Sequence, residues 1–381
     1  MKKGRISAAR KALAIAVAIG SALLCAWPMS SAASASSSQD QTLGRRARPV
    51  ITLQWPRLFG TESQSESAAP RMLIPGGQAV GVAIRTQGVL VVGAGDHDRG
   101  ALREGDMILS VNGVPLLESA MLTEAVNAAQ GQPLSLRISR GGQESDLLLT
   151  PHYDEGSRAW RLGVWVRDST AGVGTLTYYD PATGAYGALG HAITDSDTGS
   201  LLPVRQGALM QAEIVDVRRG QRGAPGELRG SFLREQVTLG TVRANTIFGI
   251  YGQLEAPSVS VLYPDGLPTA SRAQVHTGTA TILSTIAGQE ACEYAIEITQ
   301  VSRQSAAAPK SMVLRVTDER LLSATGGIVQ GMSGSPILQD GHIVGAVTHV
   351  FVSDPTQGYG VFIDWMLQQS DALAAPQTDA A

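Results

Sequence analysis

Gly331-Met332-Ser333-Gly334-Ser335-Pro336 places a serine between glycines, in a turn where backbone N–H groups can converge beside its hydroxyl. Glycine has no Cβ, so it permits turn conformations that other residues avoid and allows a carbonyl group to approach closely. A serine becomes nucleophilic only with a base and prepositioned hydrogen-bond donors nearby. Downstream, apolar runs flank Gln339-Asp340-Gly341, which predicts two strands joined by a hairpin turn. The stretch predicts a nucleophile turn, although turn chemistry alone also fits a simple chain reversal.

A serine nucleophile needs a base, and His191 has the most suggestive setting of the six histidines. It lies in Gly190-His191-Ala192-Ile193-Thr194-Asp195, and neutral imidazole is the usual general base near pH 7. His349, after the second predicted strand, is the alternative base, and a purely structural role for His191 also stays open. No two histidines have the close spacing of a zinc site, so we expect no metal and no cofactor.

Three motifs carry a family resemblance. They are Gly190-His191-Ala192-Ile193-Thr194-Asp195, Thr325-Gly326-Gly327-Ile328-Val329-Gln330-Gly331-Met332-Ser333-Gly334-Ser335-Pro336 and Gly345-Ala346-Val347-Thr348-His349-Val350-Phe351. Together they resemble the stage IV sporulation protein B (SpoIVB) peptidase family of spore-forming bacteria, and the likeness runs from about Ile74 to Leu367. It implies a mainly β protein, in which a PDZ domain precedes a chymotrypsin-like antiparallel β-barrel serine peptidase domain.

The resemblance also implies a biological role. Members of that family are secreted or membrane-tethered, process themselves, and trigger a proteolytic signalling cascade across membranes during sporulation. The implied location is the intermembrane space of the developing spore. The implied partners are the chain's own N-terminal segment and a membrane-associated regulator of an intramembrane protease.

By position, the resemblance assigns His191 as general base, Ser333 as nucleophile and Asp318 as the acid that orients the histidine. The oxyanion donors would be the backbone N–H groups of Gly331 and Ser333. Ser335 is the competing hydroxyl, with a turn hydrogen bond as its ordinary role.

Asp318 has a second interpretation. It precedes Glu319-Arg320-Leu321-Leu322, a short helix pattern that Gly326 or Gly327 would end, so it could simply cap that helix. Asp195 and Asp197 are the alternative acids.

Composition excludes one class of partner. With a formal net charge of −3 and no basic stripe with interleaved aromatic residues, the chain is not expected to bind nucleic acid. The 43 glycines and 17% charged residues suit a β-rich globular protein with many turns.

The N-terminal region has the pattern of an export signal. Basic residues precede an uncharged run from Ala12 to Trp27, which is short for a membrane span of about twenty residues. We expect residues 1–35 to be a signal peptide or a membrane anchor. The composition of residues 36–73 predicts a linker, which is the natural place for self-cleavage because exposed backbone suits a protease, although a simple spacer is the alternative. Cys292 alone remains in the mature chain, so no internal disulfide is expected.

Residues 74–152 have the order of elements of a PDZ domain. Gly-Asp, an apolar strand and Asn-Gly occur at Gly105 to Gly113, and a helix with one apolar face follows from Met121 to Ala129. In PDZ domains a glycine-containing loop binds a peptide carboxylate and the next strand pairs with the peptide. The predicted peptide-binding residues are Gly77, Ala79, Val80, Gly81 and Val82. A PDZ domain that serves only as packing support is the alternative.

Residues 160–370 alternate short apolar runs with glycine and polar turns, which predicts an antiparallel barrel, and residues 371–381 predict a disordered tail. His191 and Ser333 would then come from separate halves of the peptidase domain. The leading hypothesis is an exported serine endopeptidase. The alternative is a secreted PDZ adaptor with an inactive protease-like domain.

Overall fold

Two antiparallel β barrels, with a smaller unit inserted into the first, make up the computed structural model, which describes residues 70–95, 101–231, 238–255 and 262–374. The predicted signal or anchor and nearly all of the predicted linker, including its self-cleavage region, lie outside these ranges. Among the described residues, no helix combines the length and the apolar character that crossing a bilayer requires.

The elements follow one another in three groups. The chain starts with β1 (Met72–Pro75) and β2 (Ala79–Ala94). The inserted unit follows, with β3 (Met107–Val111), β4 (Val114–Pro115), α1 (Ser119–Ala128), β5 (Leu134–Arg140), β6 (Gln143–Leu149), β7 (His152–Asp154) and β8 (Ala159–Arg161). The chain returns through β9 (Val164–Tyr179), β10 (Ala185–Ala188), β11 (Val204–Gln211), β12 (Glu213–Arg218), β13 (Glu227–Ser231), β14 (Thr238–Thr246), β15 (Gly249–Leu254) and β16 (Leu267–Pro268). Last come β17 (Gly278–Ser284), β18 (Cys292–Val301), β19 (Met312–Val316), α2 (Glu319–Thr325), β20 (Pro336–Gln339), β21 (His342–Phe351), β22 (Asp354–Phe362) and α3 (Ile363–Ala374).

Strand pairing closes both barrels. In the first, the pairings run β2, β9, β10, β15, β14, β11 and back to β2. In the second they run β17, β18, β19, β22, β21, β20 and back to β17. Two successive six-stranded antiparallel barrels confirm the predicted chymotrypsin-like fold class, and they place the segment after β10 and the segment before β20 in different barrels.

Sequence alternation explains the second barrel. Along β18, Tyr294, Ile296 and Ile298 are buried while the residues between them are more exposed, which is the period-two pattern of a strand with one face in a core. The predicted hairpin after the serine is also present, because Asp340 and Gly341 both have positive φ, 49° and 74°. Two consecutive positive φ values are what a tight two-residue hairpin needs.

The inserted unit has the predicted PDZ-like elements around its own apolar core. Helix α1 buries Leu122 and Val126, and this face packs with Val91, Ile108 and Leu136 from the adjoining strands. The helix and the strand after Gly-Asp therefore form close to where the sequence predicts them.

The domain boundaries differ from the prediction of a PDZ domain over 74–152 followed by a separate peptidase domain. The first half of β2 is one strand of the first barrel, and its second half belongs to the PDZ-like unit. The PDZ-like unit ends where β9 returns the chain to the barrel. Between the two halves, pairing to β9 shifts register after Arg85 and resumes at Leu90. The hydroxyl of Thr86 fixes this bulge by donating to the carbonyl of Gly88 at 2.7 Å. The PDZ-like unit is thus an insertion within the first barrel.

Two predicted termini of segments also need correction. The predicted linker extends to residue 73, but Met72–Pro75 forms β1, which pairs with β9 and β16. The tail was expected from residue 371, but α3 continues to Ala374. Asp371 is held there by a 2.6 Å ion pair with Arg71, so this end of the helix is tied to the start of the first barrel.

Candidate active site

The turn that carries Ser333 depends on glycine at two positions. Gly331 and Gly334 have φ of 97° and 98°, in the region that side chains with a Cβ disfavour. A Cβ added to Gly334 would lie 2.2 Å from the carbonyl oxygen of Thr175 and 2.5 Å from the backbone nitrogen of Leu189. Such contacts are far inside van der Waals distance, so the first barrel approaches the serine turn as closely as backbone can.

Hydrogen bonds fasten the serine turn to both barrels. The N–H of Gly334 donates to the carbonyl of Val347 on β21 at 2.8 Å. From β9, Thr175 donates its N–H to the carbonyl of Ser333 at 3.0 Å and its hydroxyl to the carbonyl of Gly331 at 2.8 Å. The turn therefore lies at the junction of the barrels, with its conformation fixed from each side.

The same bonds leave the predicted oxyanion donors available. The N–H groups of Met332, Gly334 and Ser335 donate to backbone carbonyls. Within the described ranges, the N–H groups of Gly331 and Ser333 have no such acceptor. Two uncommitted donors beside a serine hydroxyl are what stabilisation of an oxyanion requires.

His191 reaches the junction through a tight turn at the end of β10. Leu189 and Gly190 have φ of 70° and 67°, and the N–H of Gly190 donates to the carbonyl of Ala188 at 2.9 Å. A positive φ at a leucine is strained backbone of the kind that clusters at functional sites. The N–H of Leu189 donates to the carbonyl of Thr175 at 3.2 Å, so the histidine turn and the serine turn share one anchoring residue.

Two histidine rings lie side by side at this junction, and the serine hydroxyl bonds to the strand that carries one of them. The ring centroids of His191 and His349 are 5.1 Å apart. The hydroxyl of Ser333 donates to the carbonyl of Thr348 at 2.8 Å, next to His349 in the chain. A rotation about the Cα–Cβ bond of Ser333 is needed to redirect this hydroxyl, and catalytic hydrogen bonds often form only when substrate is bound. The Ser333 hydroxyl thus bonds to the strand that carries His349, whose ring lies beside that of His191.

Burial keeps both imidazoles neutral at pH 7. Burial lowers the pKa of His191, and the hydrogen bond to the carbonyl of Ala192 partly opposes this effect. Burial, the neighbouring His191 and the charge of Lys310 lower the pKa of His349 to about 4. Because a general base must be unprotonated before it acts, both rings are in the required state.

Comparison with known proteins identifies the family. The family described as SpoIVB peptidase S55 matches residues 158–367, more than half of the chain. The chain belongs to the SpoIVB peptidase S55 family. Its members' description as peptidases, together with the serine site, makes the protein a serine endopeptidase. No curated protein matches the chain.

Solved structures with similar features have low sequence identity. The PDZ domain of the SdrC-like protein from Listeria monocytogenes is 16% identical, covering 21% of this chain and 87% of that one, with a TM-score of 0.20. The active form of the Rv3671c protease from M. tuberculosis is 14% identical, covering 53% and 74%, with a TM-score of 0.29. Its inactive form is 14% identical, covering 53% and 85%, with a TM-score of 0.30.

In this SpoIVB-family peptidase, Asp318 does not contact the histidine. It is the N-cap of α2, and its carboxylate accepts from the N–H of Arg320 at 2.9 Å and of Leu321 at 3.3 Å. The same carboxylate accepts from the N–H of Ala295 at 3.3 Å and from the guanidinium of Arg320 at 2.8 Å. These bonds hold the pKa of Asp318 far below its usual range. The assignment of Asp318 as the orienting acid is therefore wrong for this conformation, and the capping interpretation describes it.

The alternative acids are also occupied elsewhere. The buried carboxylate of Asp195 pairs with Arg167 on β9 and accepts from the N–H groups of Asp197 and Thr198, each at 3.0 Å. Asp197 pairs with the same arginine at 2.9 Å. These bonds order the loop that follows His191, but neither carboxylate bonds to its ring.

A backbone carbonyl, rather than a carboxylate, fixes the tautomer of His191. Nδ1 of His191 lies 2.7 Å from the carbonyl oxygen of Ala192. A carbonyl can only accept, so the proton must be on Nδ1, which leaves Nε2 with its lone pair free to take a proton. The sequence offered no signal for this contact, because any residue at position 192 has a carbonyl.

Most of the predicted peptide-binding residues belong to β2, a strand of the first barrel. Val80, Gly81 and Val82 pair with β9 on one side and with β11 on the other, and Ala79 also pairs with β9. Gly77 donates its N–H to the carbonyl of Leu176 at 2.8 Å. Because these backbone groups are already paired, this segment cannot accept a peptide strand, and its assignment as the PDZ binding site is wrong.

Proposed function

We propose that Ser333 is the nucleophile and His191 the general base of an exported serine endopeptidase. The observation that carries this assignment is the position of the Ser333 turn and of the paired His191 and His349 rings at the junction of two barrels, with the N–H groups of Gly331 and Ser333 uncommitted. A hydrolase that passes through an acyl-enzyme needs each of these parts within one cleft.

The chemistry follows from these positions. Nε2 of His191 accepts the hydroxyl proton as Oγ of Ser333 bonds to the scissile carbonyl carbon. The N–H groups of Gly331 and Ser333 stabilise the oxyanion, typically by a few kcal/mol each. The C–N bond then breaks, and the imidazolium gives its proton to the departing amine. Water repeats the sequence on the acyl-enzyme, which releases the acid and restores Ser333.

A covalent serine-reactive probe tests the assignment. A fluorophosphonate should label the wild-type protein and Ser335→Ala but not Ser333→Ala, because only the first two keep the nucleophile. Unchanged thermal unfolding of Ser333→Ala serves as the folding control. Equal labelling of Ser333→Ala would overturn the assignment.

We further propose that the enzyme removes part of its own N-terminal region and then cleaves a membrane-associated regulator in a sporulation cascade. The family description as SpoIVB peptidase supports this role, as does the export pattern of residues 1–35. The N-terminal sequence of purified wild-type protein should begin after residue 35, within the predicted linker. The Ser333→Ala protein should keep those linker residues. Identical N-termini in the two proteins would contradict self-processing.

A further inference from the structure

A cavity of about 510 Å³ lies on the outer face of the second barrel. Its wall includes Gln300, Lys310, Phe351, Gln357 and Tyr359, contributed by β18, β21, β22 and the loop before β19. The opposite, inward positions of the same sheet, such as Leu314 and Gly360, are buried in the barrel core. The cavity is therefore a feature of the solvent-facing surface.

The cavity lies on the same face of the sheet as His349, one strand away from it. Gln300 pairs with Val313, Val313 pairs with Tyr359, and Tyr359 pairs with His349. Directly paired residues of neighbouring strands present their side chains to the same face of a sheet. This row of four residues therefore leads from the His349 ring, which contacts His191, across the sheet into the cavity.

The edge of β21 beside the nucleophile can accept a peptide strand. Pairing of β20 with β21 ends at Pro336 and Ala346, and Val347 bonds to the serine turn. Between Thr348 and Phe351 no described strand pairs with that edge, and the Thr348 carbonyl accepts from the Ser333 hydroxyl. Just beyond the strand, the N–H of Gly223 donates to the carbonyl of Val352. An extended peptide added antiparallel there would run from Phe351 towards Thr348, so residues beside Phe351 precede the scissile bond. At about 3.3 Å per residue, Phe351 is about 10 Å beyond Thr348.

The chemistry of the cavity favours a carboxylate. Lys310 is the only lysine after Lys11 in the sequence. Its ammonium lies 4.6 Å from the ring centroid of Tyr359 and, in the described part of the chain, forms no ion pair. The rings of Tyr359 and Phe351, 4.6 Å apart, form an apolar wall for the methylene groups of a side chain. No aspartate or glutamate lines the cavity.

We propose that this cavity is a substrate subsite that binds a glutamate or aspartate side chain two to four residues before the scissile bond, with Lys310 as its charge partner. The inference rests on the proposed catalytic site and extends it to a substrate class. The carboxylate would lie by the ammonium, and Gln300 would supply an amide group at the rim. An acidic residue there would also position the peptide along β21.

The test measures peptide cleavage by the full-length protein. Internally quenched peptide libraries, each with one position before the scissile bond fixed in turn, give kcat/KM for Glu, Gln and Lys. We expect Glu to be cleaved about three- to tenfold faster than Gln at one of the second to fourth positions. The Lys310→Gln variant should reduce this preference to below twofold, and Lys310→Glu should favour Lys.

A matched control and the contrary outcomes separate this inference from the proposed function. Arg303 is an exposed cation in the same loop and does not line the cavity, so Arg303→Gln should keep the wild-type preference. Cleavage without a preference for acid, or a preference that survives Lys310→Gln, overturns the subsite and leaves the peptidase assignment standing. Failure of the wild-type protein to cleave any peptide overturns both.

Discussion

Replacing Asp318 with alanine separates a helix-capping role from a catalytic one. In the structure its carboxylate caps α2 through the N–H groups of Arg320 and Leu321 and also accepts from the N–H of Ala295. The ring of His191 bonds instead to the carbonyl of Ala192. On this geometry, the substitution removes a cap and leaves the histidine in place.

The two roles predict effects of very different size. Loss of an N-cap typically costs about 0.5–2 kcal/mol of stability. For a folded unit of about 200 residues, each kcal/mol lowers Tm by about 2–4 °C, so the expected decrease is about 1–8 °C. Removing the carboxylate that orients a catalytic histidine instead lowers kcat about 10⁴-fold, as in the serine protease triad. We therefore expect Asp318→Ala to lower Tm with kcat/KM within about threefold of wild type.

The assay combines thermal unfolding with kcat/KM per active site, the latter counted by titration with a serine-reactive probe. Asp318→Ser should recover most of the lost Tm, because serine is also a good N-cap. Glu319→Ala, at the next residue of the same exposed turn, is the matched control and should change neither quantity appreciably. A thousandfold loss of kcat with normal Tm would refute the capping argument and restore Asp318 to the catalytic machinery.

Two other substitutions test the site. The pKa of His349 is lowered from its ordinary value of about 6.5 to about 4, so its stabilising contribution is complete above pH 6.5 and is lost as pH falls towards 4. Between pH 7 and pH 5, urea unfolding should show the wild type losing more stability than His349→Asn; equal losses would contradict the lowered pKa. Gly334→Ala should abolish probe labelling and lower Tm strongly, because its Cβ meets backbone at 2.2 Å. Gly341→Ala, also at positive φ but with nothing within 4 Å of its Cβ, should cost only about 1–2 kcal/mol and keep labelling; similar behaviour of the two variants would show that the close approach is unimportant.

Local chemistry made much of the site predictable. The glycines around Ser333, the Asp340-Gly341 turn and the apolar face of α1 each express a preference that operates within a few residues. The sequence prediction selected His191 because glycine and small residues surround it, and the turn at Leu189 and Gly190 shows what those residues do locally. For Asp318, the helix pattern that follows it already contained the interpretation that the structure supports.

Long-range pairing could not be predicted in the same way. The apolar pattern from Ala79 to Ala94 fits a strand of either unit, and its partners, β9 and β11, follow far along the chain. The prediction that the loop at Gly77 binds a peptide was wrong for this reason, because no residue near Gly77 specifies which strands will pair with that segment. Thr175 was missed as well, because its bonds to both turns of the site depend on the closure of the first barrel.

The shared strands β2 and β9 determine what can be expressed as a working fragment. The family match begins at residue 158, yet a chain starting there would lack β2, which closes the first barrel, and β1, which also pairs with β9. The smallest autonomous unit must start near residue 70. A deletion within the PDZ-like unit must leave β2 connected to β9, because these neighbouring strands are the two points where the unit joins the barrel. A change in the PDZ-like unit therefore acts on the strand β9 whose Thr175 bonds to the serine turn.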